Sequence, residues 1–335
     1  MHATLPSYRG KIMRPRLSIV TLLLACIAIP ASAEVEVTLK KSFIEKYKNR
    51  VTISTPFLID KVKSSVNPPT EDGDLHIAGR PVGEIGLMTV VEIQNAKDAN
   101  DAVNFVRQNA GSDSPVNTSG VWRVWFEHAG TDHQTQGNAL QKAKNTNPPH
   151  VFEIHPATQI GNINLLGTLR PIEGYEKPNN TSQRIHMIET MAGTLRVRQN
   201  TATMRVGGNK PNYIGFKMKL LPGDHGYQRP NGSWTQPADG KFVFAKIYDH
   251  DNELLAHKRR VAFVKDSEPF RKVESLQPNE CLTILGITRV NLELIAWRIK
   301  NAKKRPEVLG WNMPYELVAV GVKGEKSHCA PDENE

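Results

Sequence analysis

Glu71-Asp72-Gly73-Asp74-Leu75-His76-Ile77-Ala78 is the stretch on which the reading of this chain turns. Asp72-Gly73 reads as a turn, because Asp and Gly are residues that a chain reversal takes. From Asp74 onward polar and apolar residues alternate, as in a strand with one buried face. Leu75 and Ile77 then share one face, and Asp74 and His76 the other. Three later stretches carry the same kind of pattern: Val90-Val91-Glu92-Ile93, Val121-Trp122-Arg123-Val124-Trp125-Phe126-Glu127-His128 and Val151-Phe152-Glu153-Ile154-His155-Pro156. Sorting them by period two puts Val91, Ile93, Phe152 and Ile154 inward, and Glu92, Glu153 and His155 outward. If these strands are neighbours, carboxylates and imidazoles converge on one sheet face.

Further strands read at Val35 to Leu39 and Val51 to Val62, with a short helix over Ser42 to Arg50. Asp98 to Ala110 is the clearest helix: Asp98 can cap it, Ala102, Phe105 and Val106 share a face, and Gly111 stops it. Beyond a polar, proline-bearing stretch from Gly161 to Asn180, alternation returns in Tyr213 to Leu220, Lys241 to Tyr248 and Leu254 to Val264. Asp249-His250-Asp251-Asn252 reads as the hairpin turn between the last two. Asn291 to Lys304 fits a helix with Leu292, Ile295, Ala296 and Ile299 inward, or a continued strand. The fold class is mainly β (α+β), with a boundary expected between residues 34–165 and a β-rich, sandwich-like second domain over 166–335.

The amino end has the layout of an export signal. Arg14 and Arg16 precede an apolar run from Leu17 to Ile29, and Ala31-Ser32-Ala33 is a small-residue cleavage site before Glu34. Leu23-Leu24-Ala25-Cys26 offers a lipoprotein box as the alternative, with Cys26 as the anchored residue. The apolar run is shorter than the ~20 residues needed to span a bilayer, and no other stretch qualifies. These features place the chain outside the cytoplasm, secreted or periplasmic.

Of 335 residues, 43 are Lys or Arg and 34 are Asp or Glu. Cleavage after Ala33 would remove Arg9, Lys11, Arg14 and Arg16 and no acid, leaving 39 bases against 34 acids. That modest positive balance permits anionic partners without requiring them. Composition excludes collagen, coiled coil and disorder. Of three cysteines only Cys281 and Cys329 would remain, an even number in an oxidising compartment, and a disulfide is the default. Closing that loop is worth roughly 3 to 4 kcal/mol in the chain-entropy model.

The polar strand faces support two readings. Carboxylate oxygens and imidazole nitrogens are what divalent metals take, so Asp72, Asp74, His76, Glu153 and His155 could hold one divalent ion, structurally or to activate water. The other reading is a sheet face that is polar because water touches it. On Val121 to His128, alternation sends Trp122, Val124 and Phe126 inward. Trp125 is then left outward beside Arg123, Glu127 and the neighbouring Glu92, either as a ligand platform or as a ring covering the barrel rim. Arg196 and Arg198 share one strand face. Together with Arg205, Lys258-Arg259-Arg260 and Lys300 to Arg305 they would suit nucleic acid only if the bases shared a surface.

The order Asp-Gly-Asp-Leu-His, Met-Thr-Val-Val-Glu-Ile, helix, Gly-Val-Trp-Arg-Val-Trp-Phe-Glu-His, Phe-Glu-Ile-His-Pro resembles a widespread set of secreted bacterial domains. Those domains are marked by a DGDxH strand, an acidic strand, a helix and a terminal E-[IL]-H-P strand. The likeness covers about Thr52 to Gln159 and implies no particular activity. More distantly the layout is similar to the staphylococcal nuclease type of OB-fold. That implies a small barrel with one inserted helix, a scaffold known for oligonucleotides and oligosaccharides. The nuclease family also has an arginine in the strand after DGD and a D-x-P-E segment. Thr89 and Gln94-Asn95-Ala96-Lys97 stand in those places, so its catalytic residues are not carried over.

No nucleophile elbow, phosphate-binding glycine loop or HExxH is present. The expectation is an extracytoplasmic binding or interaction module on an OB-like scaffold, its partner an envelope component, an oligosaccharide or nucleic acid. The alternative is a metal-dependent, phosphodiesterase-like hydrolase using Asp74, His76, Glu153 and His155.

Overall fold

In chain order, β1 (Val35–Lys40) and α1 (Lys41–Tyr47) lead into β2 (Thr52–Val62), β3 (Leu75–Pro81), β4 (Thr89–Ile93), α2 (Asn100–Asn109) and β5 (Val116–Val124). Next come β6 (His133–Thr135), β7 (Phe152–Ile160), β8 (Ile163–Asn164), α3 (Thr181–Glu189), β9 (Ala192–Val197) and β10 (Thr201–Val206). The last third holds β11 (Tyr213–Leu220), β12 (Gly240–Tyr248), β13 (Leu254–Val264), α4 (Glu268–Glu274) and β14 (Glu280–Val290). It ends with α5 (Leu292–Asn301), β15 (Glu307–Asn312), β16 (Tyr315–Val322) and β17 (Ser327–His328). This computed structural model describes residues 34–130, 133–207, 210–221, 236–277, 279–303 and 307–329. The expected export segment, with its expected cleavage after Ala33 or anchor at Cys26, lies outside the described residues, as does most of the Pro222 to Gly240 loop.

The first barrel closes in the order β2-β3-β4-β7-β5 and back to β2; β4 and β7 run parallel and every other pair is antiparallel. A helix between the third and fourth strands and a parallel pairing of the third with the fifth give the topology of an OB-fold. Its interior takes one face of each strand, including Phe57, Ile59, Leu75, Ile77, Val91, Ile93, Trp122, Val124, Phe152 and Ile154. Gly73 at φ +65° makes the turn into β3, a left-handed conformation that suits glycine.

The second barrel repeats this plan. β11-β12-β13-β16-β14 returns to β11, β13 and β16 are parallel, and α4 again falls between the third and fourth strands. The β-rich reading of the second half holds. Its strands close on themselves, however, because β14 pairs with both β11 and β16, and the expected sandwich is replaced by another OB-type barrel. Cys281 on β14 and Cys329 form a disulfide, with Cα atoms 5.2 Å apart.

A third, open sheet runs β15-β9-β10-β1-β6 and packs only one face on the core, through Val35, Val37, Leu39, Leu195, Val197, Ala202 and Met204. Because β1 pairs with β10, this sheet draws on both sides of the 165/166 boundary, and Ser32–Glu335 forms one compact unit.

The barrels meet outer face to outer face. Val51 and Val121 of the first pack on Tyr213, Phe242, Ile287 and Val318 of the second, and Leu169 and Ile172 of the connecting strand lie between them. Asn95 donates to the Thr168 carbonyl at 2.9 Å, and Gln94 to that of Arg170 at 2.7 Å, while Leu169, Ile172 and Tyr175 pack against the second barrel, so the stretch 161–180 is a strap fastened to both sides rather than a free linker. Arg289 bonds Glu316 at 2.7 Å and reaches the Val51 and Trp122 carbonyls at 3.0 Å each, while Arg260 forms an ion pair with the other oxygen of Glu316 at 3.0 Å.

Candidate functional site

The outer face of β3 and β4 and the ends of β5 and β7 carry a cluster of ionisable side chains. Register places it: His76 lies opposite Glu92, Val91 opposite Ile154 in the parallel pair, and Arg123 opposite Glu153. Glu92 therefore sits between His76 and His155. Its Oε1 is 3.7 Å from His76 Nε2 and its Oε2 is 2.9 Å from His155 Nδ1. Asp74 Oδ1 is 3.4 Å from His76 Nε2 and accepts from Asn67 Nδ2 at 2.8 Å. Glu153 pairs with Arg123, and its other oxygen is 3.2 Å from His150 Nε2.

The second barrel covers this face. Tyr213 of β11 bonds His155 Nε2 through its hydroxyl at 2.7 Å, and Arg123 Nε donates to the Thr288 carbonyl of β14 at 2.9 Å. Asp74, Glu92, Glu153, His155 and Arg123 are consequently buried, and His76, with 12% of its side chain exposed, marks the edge toward water. The reading of a water-exposed polar face is overturned, because the outer surface of one barrel is the inner surface of the pair.

Burial, reinforced by the neighbouring Glu92 charge, holds the Asp74 carboxyl well above the usual carboxylate range. Burial acts the same way on Glu92 and is outweighed by His155 and His76, which hold that carboxyl below its usual range. It likewise opposes the charged form of both imidazoles, yet Glu92 and Asp74 lift His76 to about 9, and Glu92 and Glu153 lift His155 to about 10. For Glu153, burial is outweighed by Arg123 and His150, so its carboxyl stays well below the usual range. Glu127 is pushed up to about 7 by burial, against the pull of Arg123.

The metal expectation named Asp72, Asp74, His76, Glu153 and His155. The structure brings Asp74 and His76 together with Glu92, and Glu153 and His155 together with the same Glu92, ligand atoms within 4.8 Å in each group. Asp72 belongs to neither group and accepts from Asn67 at the turn. Glu92, expected in the ligand platform, is thus the centre of the cluster. Only strand pairing could show this, since the same alternation that marks Glu92 as outward marks many surface acids. His128 and His150, stacked at 5.3 Å, are also part of the surroundings and were not singled out from the sequence. The platform itself does not face water. Trp125 is 1% exposed and donates to the Pro211 carbonyl at 3.1 Å, Arg123 is fully buried, and Glu127 lies 3.3 Å from Arg123.

The basic residues divide. Arg260 is buried between the barrels, and Arg259 pairs with Glu189. Arg196, Arg198 and Arg205, with Lys40, are exposed on β9, β10, β1 and the turn that follows β9, on the solvent side of the open sheet. No helix among the described residues is long and apolar enough to cross a membrane.

No protein-family model matches the chain, and no curated protein matches it. Among solved structures, a deletion mutant of the single-stranded DNA binding protein from Thermus aquaticus matches at 10% identity, over 84% of this chain and 97% of that one. With a TM-score of 0.21 the likeness adds nothing to the barrel assignment, which stands on strand order.

Proposed function

We propose that this chain is an extracytoplasmic binding protein that holds a polyanionic partner on the solvent face of its open sheet. The observation that supports this is the gathering of Arg196, Arg198 and Lys40 on that face, with Arg205 beside them paired to Glu34. Thr38 and Thr203 lie among them, their hydroxyls 2.8 Å apart. In register, Lys40 lies across from Thr201, Arg196 across from Thr203, and Arg205 between Glu36 and Thr194, so the cations are spread over three strands and alternate with threonine hydroxyls that an anionic polymer can also use. The export-type amino end and the disulfide suit a partner outside the cytoplasm, an acidic envelope polysaccharide or single-stranded nucleic acid.

The test is retention on immobilised acidic oligosaccharide and on single-stranded DNA across a salt series, comparing wild type with Arg196→Glu/Arg205→Glu. Expected is binding that weakens with salt, and a double variant at least tenfold weaker with a shallower slope. Equal retention of wild type and variant on every polyanion would overturn the proposal.

A second reading, a metal-dependent hydrolase, is favoured by the buried carboxylates around Glu92 that lack hydrogen-bond donors. It predicts cation-dependent cleavage of a phosphodiester, lost in His76→Ala.

A further inference from the structure

The geometry points to a divalent-cation seat formed by Asp74, His76 and Glu92, on the edge of the first barrel where it is covered by the second. This inference is independent of the polyanion proposal, which concerns another sheet. Buried carboxylate oxygens ordinarily have donors. Here Asp74 Oδ2 and both oxygens of Glu92 have no hydrogen-bond partner, although both side chains are buried to within 1%. His155 Nδ1, 2.9 Å from Glu92 Oε2, is not aligned to bond it. Three buried carboxylate oxygens thus lack a donor, while Asp74 Oδ1 accepts from Asn67, and one ligand atom from each of Asp74, His76 and Glu92 lies within 4.8 Å of the other two.

The spacing suits a metal. Ligands about 2.1 Å from a tetrahedral ion lie about 3.4 Å from one another. His76 Nε2 is 3.4 Å from Asp74 Oδ1 and 3.7 Å from Glu92 Oε1. One imidazole with two carboxylates is a mixed donor set of the kind taken by Zn²⁺ or Mn²⁺. Surrounding groups would hold the ligands in place: Asn67 fixes Asp74, and Tyr213 fixes His155 against the far oxygen of Glu92. The neighbouring group around Glu153 is a poorer seat, because Arg123 and His150 already occupy its oxygens. Three protein ligands, with His76 at the solvent edge, leave a coordination position open toward water.

The experiment uses the full chain, purified without chelator or polyhistidine tag, its metal content measured by inductively coupled plasma mass spectrometry. It is then stripped and titrated with Zn²⁺, Mn²⁺ and Co²⁺ by calorimetry and visible absorption. Expected are close to one equivalent per chain, a rise in melting temperature on reloading, and Co²⁺ bands of an oxygen–nitrogen site. His76→Ala, altered at the exposed edge, and Glu92→Gln should each weaken uptake at least tenfold. The inference is overturned if the stripped wild type takes up none of the three ions. It is equally overturned if both variants, folded by circular dichroism, bind as wild type does, since the ion would then sit elsewhere. Should one variant fail to fold, the other decides: uptake equal to wild type overturns the inference, and uptake at least tenfold weaker supports it.

Discussion

Arg289→Met tests whether a buried guanidinium fastens the two barrels into one folding body. Arg289 is fully buried and makes four hydrogen bonds: Nε to Glu316 at 2.7 Å, Nη1 to the Val51 and Trp122 carbonyls at 3.0 Å each, and Nη2 to the Arg50 carbonyl at 3.2 Å. Its plane stacks 3.7 Å over the Trp122 ring. Methionine keeps an unbranched apolar stem as far as the Nε position and donates nothing, so three main-chain carbonyls of the first barrel lose a donor, at about 1 kcal/mol each. Loss of the stacking adds about 1 kcal/mol. Glu316 keeps Arg260 at 3.0 Å, which spares the larger penalty of a lone buried carboxylate. The expected loss is therefore about 3 to 5 kcal/mol. Arg289→Lys keeps the charge without the fork and should lose about half as much. Equilibrium urea unfolding, followed by tryptophan fluorescence and circular dichroism together, gives the number and shows whether both probes still report one transition. A loss below 1 kcal/mol in the methionine variant would refute the reasoning, for it would mean that these carbonyls find water or that the barrels do not depend on the contact.

Reducing the Cys281–Cys329 disulfide, which closes 48 residues, should cost about 4 kcal/mol in urea unfolding at fixed pH; a change below 1 kcal/mol would show that the unfolded loop is already constrained. Gly120→Ala should destabilise by at least 2 kcal/mol. A Cβ there would come within 2.5 Å of both Ile154 Cγ2 and the Pro156 carbonyl, and a variant as stable as wild type would show that β7 can yield. Glu127, raised to about 7 in the fold from an ordinary carboxyl near 4.5, favours folding fully below pH 4.5 and loses that contribution as pH rises through 7. The loss is up to about 3 kcal/mol. Urea midpoints at pH 5 and pH 8 should fall by this margin more in wild type than in Glu127→Gln, and parallel curves would reject the assignment.

Much of the first barrel was legible because each strand buries one face on its own interior, so period two survives: β2, β3 and β4 fall within a few residues of their expected bounds. Tyr213–Leu220 and Leu254–Val264 match throughout, and Asn252 at φ +67° makes the expected turn between β12 and β13. Asn291 caps α5 through Glu293 and Leu294, which settles helix over strand there. The expected Asp98 to Ala110 helix is split, Asp98 ending a short 3-10 turn before α2. What could not be read was which outer faces meet. Arg123, Glu153 and Trp125 have the local pattern of exposed residues, and only the second barrel, placed by contacts more than 50 residues away, buries them. The strap escaped for a related reason: its polar residues bond with their side chains and backbone, while Leu169 and Ile172, isolated in sequence, carry the packing.

The open sheet bears on how the molecule can be built. It joins strands from Val35–Lys40 to Glu307–Asn312, so the earliest strand has its antiparallel neighbour some 160 residues later and the sheet's edge later still. A growing chain could close the first barrel long before β10 emerges, with the apolar side of β1 left uncovered in the interval. Carboxy-terminal truncations should therefore fail as a group rather than shed stability in steps, and a chain delivered in pieces would need something to shield Val35, Val37 and Leu39 until the last strands arrive.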